Sequence, residues 1–216
     1  MRNSRLAQVC FVLFAVFLAA QALTGWRAHD ADQAQHGEPG TSLASYLTSG
    51  HFVEATFENW ESEFLQMGAF VLLTAFLVQK GSAESKKEEG DPSDEDPAAH
   101  RHDPGAPWPV RRGGVALLVY ENSLLIAFAL LFVGSLIGHA LGGSREFSAE
   151  QEAHGGAAVS VVSYVTTSRF WFESFQNWQS EFLAVAAIVV LTVFLRQRGS
   201  PESKPVHAPH AKTGSG

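Results

Sequence analysis

Two glutamates carry the most legible chemistry in this chain. Glu63 and Glu181 hold the same place in two copies of one motif. The copies are Phe57-x-Asn59-Trp60-x-Ser62-Glu63-Phe64-Leu65 and Phe175-x-Asn177-Trp178-x-Ser180-Glu181-Phe182-Leu183. Each glutamate precedes a short apolar run, at the edge of a hydrocarbon phase where an ionised carboxylate is costly unless partnered or hydrated. A symmetric pair so placed could bind a cation or pass a proton at the outer mouth of a helical bundle. The alternative is a capping role at a helix N-terminus. There a carboxylate meets the positive end of the helix dipole, with Ser62, Asn59 and their twins Ser180 and Asn177 serving free amides. The first copy adds Glu54, Glu58 and Glu61, where the second has Phe172, Gln176 and Gln179. Only Glu63 and Glu181 are shared.

The aromatic partners have a simpler reading. Val53, Phe57, Trp60 and Phe64 recur at helical spacing, as do Trp171, Phe175, Trp178 and Phe182, opposite a polar stripe. Each set marks an amphipathic helix at the outer surface running into a membrane span, with Trp60, Trp178, Phe57 and Phe175 as interface anchors. The outer loops share His36-Gly37 and His154-Gly155, turn sequences with a titratable group. Together with His29 and His51 they lack the tight spacing of a metal motif. His139 reads as an interfacial histidine rather than a proton relay, and Thr74 and Thr192 as bonding back to their own helix or to a neighbour. Cys10 is the sole cysteine, so no disulfide or thiolate cluster within the chain is available. No phosphate loop, nucleophile elbow or HExxH is present, so the expectation is no enzyme, no catalytic residue, no metal and no cofactor.

The elements that must position these residues follow from a duplication. Residues 45–86 align without a gap to residues 163–204, with 23 of 42 positions identical. Four apolar stretches, 6–23, 64–78, 124–141 and 182–195, interrupt an otherwise charged chain. The first and third meet the length a bilayer needs, about 17–20 residues, and the others reach it by drawing in the turn before them. The expected fold is all-α and polytopic, with four transmembrane helices as two parallel two-helix repeats and amphipathic helices on the outer surface. Residues 1–86 form the first repeat and 113–204 the second. Residues 87–112 read as a disordered acidic, proline-rich linker and 205–216 as a disordered tail.

The first stretch also resembles a signal peptide, but its twin lies in mid-chain, so it is expected to stay as a span. With four spans, twelve of the 15 Lys and Arg fall on the side of the termini and linker, against Arg27, Arg145 and Arg169 opposite. That bias places both termini in the cytoplasm. At each cytoplasmic exit Gly81 and Gly199 suit a helix C-cap. The Gly-Ser-x-Glu-Ser-Lys that follows exceeds what a stop requires.

The His-Gly loop, the Phe-x-Asn-Trp-x-Ser-Glu-Phe-Leu entrance and the exit at residues 198–205 resemble an uncharacterised family of small bacterial integral membrane proteins that share a domain of unknown function. The resemblance implies a bacterial cell-membrane protein and brings no activity. The functional expectation is a non-enzymatic structural, interaction or stress-related role. The alternative is a small ion- or proton-coupled transporter or channel. An apolar bundle centre would fit the first, and a polar one the second. The expected partners are the lipid bilayer and a second copy or another membrane protein, with no nucleic acid.

Overall fold

In the computed structural model of the chain, residues 4–35, 37, 39–87 and 90–214 are described, and no strand occurs among them. The helices are α1 (Arg5–Gln35), α2 (Leu43–Tyr46), α3 (Gly50–Phe76), α4 (Trp108–Arg112), α5 (Gly114–Glu121), α6 (Ser123–Ala153), α7 (Val161–Tyr164) and α8 (Ser168–Phe194). Every bound of α1, α2 and α3 recurs 118 residues later as a bound of α6, α7 and α8. Local chemistry repeats with it. Ser42 Oγ caps α2 by accepting from Ser45 N at 3.2 Å, and Ser160 Oγ caps α7 from Ser163 N at 3.1 Å. Ser49 Oγ accepts from Phe52 N as α3 opens, and Thr167 Oγ1 accepts from Phe170 N in α8. A hydroxyl at each start satisfies an amide that the helix itself leaves without a carbonyl.

Among the described residues three helices, not the four expected, are long and apolar enough to cross a membrane: α1, α6 and α8, of 31, 31 and 27 residues. At 1.5 Å per residue the shortest is about 40 Å long, beyond the roughly 30 Å of a hydrocarbon core. No part of the apolar window of α1 is buried within the protein. α3 is as long as α8 but carries Glu54, Glu58, Glu61 and Glu63 and closes at Phe76, before the last apolar residues Leu77 and Val78. Only Phe172 among the second copy's replacements for these carboxylates is apolar, and α3 has Gln66, Met67 and Gly68 where α8 has Ala184, Val185 and Ala186, so its apolar run is weaker.

The chain divides into two compact units, Met1–Glu58 with Leu136–Trp171, and Asn59–Ser135 with Phe172–Gly216. In the first, Ala140, Tyr164 and Phe170 form a buried core, packed by Leu136, Phe147, Val159, Val161 and Val165. In the second the buried residues are mostly polar: Glu61, Ser62, Ser82, Ser85, Ser135, Ser174, Thr192, Ser203 and Lys204.

Between the repeats, short 3₁₀ turns at Pro92–Asp94 and Pro97–His100 are capped by Asp91 and Asp96. Asp91 accepts from Ser93 Oγ, Lys87 N and Ser93 N, which lowers its pKa to about 2. His100 lies between Asp103 (Nδ1 to Oδ2, 2.7 Å) and Glu95 (Nε2 to Oε2, 3.0 Å). The hydrogen bond to Asp103 first, then that to Glu95, raises its pKa above the ordinary histidine value. A raised value in the folded chain means that this clamp contributes fully below the free histidine value and is lost as pH rises through the raised one. An NMR titration is therefore expected to show a His100 midpoint above 6.5 that falls in Asp103→Asn/Glu95→Gln. A midpoint insensitive to that double substitution would remove the clamp.

Candidate functional site

The site is built on glycines that let α3 and α6 meet backbone to backbone. A Cβ on Gly50 would lie 2.6 Å from Glu146 N, and one on Gly142 would lie 2.9 Å from Glu54 Cα and nearer still to Glu54 N. Gly138 admits the ring of Phe57, whose Cδ1 would stand 2.6 Å from an added Cβ. Gly143 likewise makes room for the Tyr164 hydroxyl, and its twin Gly25 for that of Tyr46. Small residues at a helix crossing remove the side-chain layer that normally keeps helix axes about 8–10 Å apart. Polar groups of α3 thereby come within hydrogen-bond reach of the second repeat.

What they bring together is a buried cluster. Glu54 is 7% exposed and accepts from the Tyr164 hydroxyl at 3.0 Å. His139 is fully buried, stacked on Phe170 with ring centroids 4.7 Å apart and edge-on to Tyr164 at 6.5 Å. One ring nitrogen of His139 lies within 4.8 Å of a Glu54 carboxylate oxygen. In the twin position Tyr46 meets His51 Nδ1 at 3.1 Å, and His29 stands over both rings at 5.2 and 5.5 Å. Burial and then Glu146 push the Tyr46 hydroxyl up, so it is held neutral. Phe147 and Arg169, the twins of His29 and His51, stack as a cation on a ring at 5.4 Å.

In the second unit Glu61 is fully buried and accepts from the Trp178 indole Nε1 at 3.1 Å. Trp178 is also edge-on to Phe132 and to Phe175, which is itself exposed. Glu63 is exposed and Glu181 half-buried, near enough for their charges to repel. The shared pair is thus brought together, while the burial falls on Glu54 and Glu61, the acids of one copy. Neither Glu63 nor Glu181 stands at a helix start, because α3 and α8 begin 13 residues earlier. Ser62 and Ser180 donate back to the carbonyls of Asn59 and Asn177, each at 2.8 Å, and Asn177 Nδ2 to that of Glu173. Asn59 is exposed, Trp60 half-buried and Phe57 half-buried in the first unit.

The exit motifs close on themselves. Ser85 Oγ accepts from Gln79 N at 2.8 Å and Ser203 Oγ from Gln197 N at 2.9 Å, with Gly81 and Gly199 at φ of 83° and 84°. The two glycines lie in these turns, five residues beyond the helix ends. Thr74 bonds back to Phe70 O, whereas Thr192 bonds Ser82 Oγ at 3.0 Å. Burial and then its twin Glu202 hold Glu84 above the usual carboxylate range. Lys204 is 1% exposed, and its ammonium donates to the carbonyls of Gly81, His210 and Lys212. Gly155 has the positive φ of a turn, and His154 Nδ1 donates to Glu150 O. His36 lies outside the described residues.

The repeat comparison pointed away from Glu54 and Glu61, because it favours what both copies keep. The signal that finds them is positional. On α3 they are seven residues apart, on one face of the helix; Glu54 lies against Gly142, and a carboxylate opposite a glycine is one that a crossing buries.

The arrangement defines an all-helical protein with membrane-length apolar helices on its exterior and polar groups in its buried positions. The chain belongs to the family described as Domain of unknown function (DUF6766), which matches residues 1–215. Comparison with curated proteins and with solved structures gives no match.

Proposed function

We propose that the chain is a small multi-pass membrane protein that passes protons or other small cations through its buried carboxylates. One observation carries this reading. Glycines aside, thirteen of the twenty buried residues described are polar or charged, Glu54, Glu61 and His139 among them, while large apolar side chains are exposed along the long helices. A purely structural bundle does best with an apolar centre, because each buried carboxylate costs several kcal/mol, roughly, before its partners offset it. Each unit retains one such group, Glu54 in the first and Glu61 in the second, and carriage of cations is a function that would repay that cost.

In this reading α3 joins α1, α6 and α8 as a fourth embedded helix, its carboxylates turned from lipid. Both termini and residues 87–112 are cytoplasmic in a bacterial cell membrane. Glu63 and Glu181 gather cations at the outer mouth, and no covalent chemistry occurs. The bilayer is the first partner, and a second copy or another membrane protein the next.

Reconstituted vesicles with an internal pH dye test it. A proton or potassium gradient is expected to dissipate at least tenfold faster with the wild-type chain than in empty vesicles. Glu61→Gln should abolish the gain, and Glu63→Gln/Glu181→Gln should reduce it. Wild-type vesicles as tight as empty ones, or flux that Glu61→Gln leaves unchanged, would refute the proposal.

A further inference from the structure

We infer that α4 and α5 form a binding surface for an anionic phospholipid of the bilayer, its phosphate on Arg111 and Arg112 and its acyl chains along α5. The inference rests on the membrane part of the reading above and is independent of cation passage. The segment reads Trp-Pro-Val-Arg-Arg-Gly-Gly and then Val-Ala-Leu-Leu-Val-Tyr, a basic turn directly before an apolar one. That order matches a headgroup layer followed by hydrocarbon.

The local geometry turns this order into a surface. Gly113 and Gly114 have φ of 70° and 59°, which residues with a Cβ rarely adopt. Gly113 N ends α4 by donating to Pro109 O at 2.9 Å. α4 therefore packs against α5 instead of running on into it, and also against the turn at Pro97–His100. Arg101, which follows that turn, brings a guanidinium nitrogen to 2.9 Å from where a Cβ on Gly113 would stand. Three arginines thus border one elbow. Beside it lies a cleft of about 820 Å³, lined by Trp108, Arg112, Val115, Val119 and Tyr120 among others.

Charge then selects the occupant. Each described carboxylate between residues 91 and 103 is engaged within its own neighbourhood. Asp91 and Asp96 cap turns, Asp94 pairs with Lys86, and Glu95 and Asp103 hold His100. Arg111 and Arg112 are exposed, and among the described residues no carboxylate pairs with either. Arg112 Cζ stands 5.1 Å from the centroid of the Trp108 ring, a contact that steadies the cation without consuming its hydrogen-bond donors. Paired guanidinium donors match phosphate oxygens. Val115, Leu118 and Val119 share one face of α5 and are exposed, Val115 to 76%. Asn122 alone separates α5 from α6, a helix of membrane length, so this apolar face continues into lipid. Exposed Trp108 suits the boundary between the two layers.

The test is lipid binding to the full chain in detergent, by native mass spectrometry and by thermal shift, with phosphatidylglycerol, phosphatidylcholine and inorganic phosphate as probes. Wild type is expected to bind phosphatidylglycerol at least tenfold more tightly than phosphatidylcholine, and inorganic phosphate at millimolar concentration should not displace it. Each basic residue near an anionic surface contributes roughly fivefold. Arg111→Gln/Arg112→Gln should therefore lose the preference, with circular dichroism showing it folded. Lys87→Gln/Arg198→Gln removes the same charge elsewhere and should keep it. Equal binding of the two lipids by wild type overturns the inference whether or not any variant folds. So does equal loss in the two double variants, which would mark diffuse attraction, and so does displacement by phosphate alone. A chain that stays in solution without detergent would instead sink the membrane reading itself.

Discussion

Replacing Gly142 by alanine is expected to destabilise the protein by about 3 kcal/mol and to break the Glu54–Tyr164 contact. Two opposing terms set that figure. Alanine in a helix interior is favoured over glycine by about 1 kcal/mol. Overpacking costs about 1–3 kcal/mol or more, at its worst where the obstacle is backbone rather than a flexible side chain. Here the obstacle is the backbone of Glu54, 2.9 Å from the added Cβ at its Cα and closer at its nitrogen. It can yield only by parting α3 from α6, so overpacking here costs about 4 kcal/mol, above the usual range, and about 3 remain after the helix-propensity gain. Gly134, on the same helix, has nothing within 4 Å of an added Cβ and provides the control. Gly134→Ala is expected to be neutral or slightly stabilising. At about 2–4 °C per kcal/mol for a chain of this size, thermal unfolding should show Gly142→Ala melting roughly 6–12 °C below wild type. Equal melting of the two alanine variants would mean that the crossing does not exist as described.

Lys204→Met is expected to cost about 2–4 kcal/mol and to release the segment after Pro205. Methionine keeps the length of lysine and loses the donors. Three carbonyls that faced an ammonium, those of Gly81, His210 and Lys212, then face a thioether. Each hydrogen bond to a charged group contributes roughly 1.5–3 kcal/mol, partly offset because the ammonium no longer has to be desolvated. The twin lysine supplies the comparison. Lys86 donates to Ala75 O and to exposed Asp94 Oδ1, a surface pair whose worth is about 0–1 kcal/mol. Limited proteolysis should therefore cut the tail of Lys204→Met readily and leave that of Lys86→Met as resistant as wild type. Indistinguishable cleavage of the two would count against the clasp. The Lys of Gly-Ser-x-Glu-Ser-Lys has two structural fates in one molecule, which explains why its spacing alone suggested no role.

The helical pattern was legible from residues alone because helix formation is local. Apolar stretches of sufficient length and hydroxyl residues before α2, α3, α7 and α8 place most elements, and a gapless repeat copies them 118 positions on. The membrane length of α1, α6 and α8 is likewise a property of composition. α3 shows where this reasoning fails. A polar turn added to its short apolar run predicts a span, but the helix ends at Phe76 and its composition falls short of the other three.

The candidate site divides along the same line. The sequence by itself determined that Glu63 and Glu181 are equivalent, and the fold places them near each other. Equivalence could not show which carboxylates are buried, because burial depends on the face that a neighbouring helix covers. Only the tertiary structure decided that. Gly50, Gly138 and Gly142 draw α3 against α6, and the contact covers Glu54 beside Tyr164 and His139. The corresponding surface of α8 leaves Phe172 67% exposed. A duplicated sequence implies duplicated local geometry, since each copy makes the same local bonds. It does not imply duplicated environments, since a crossing between copies presents different faces of the same helix to each.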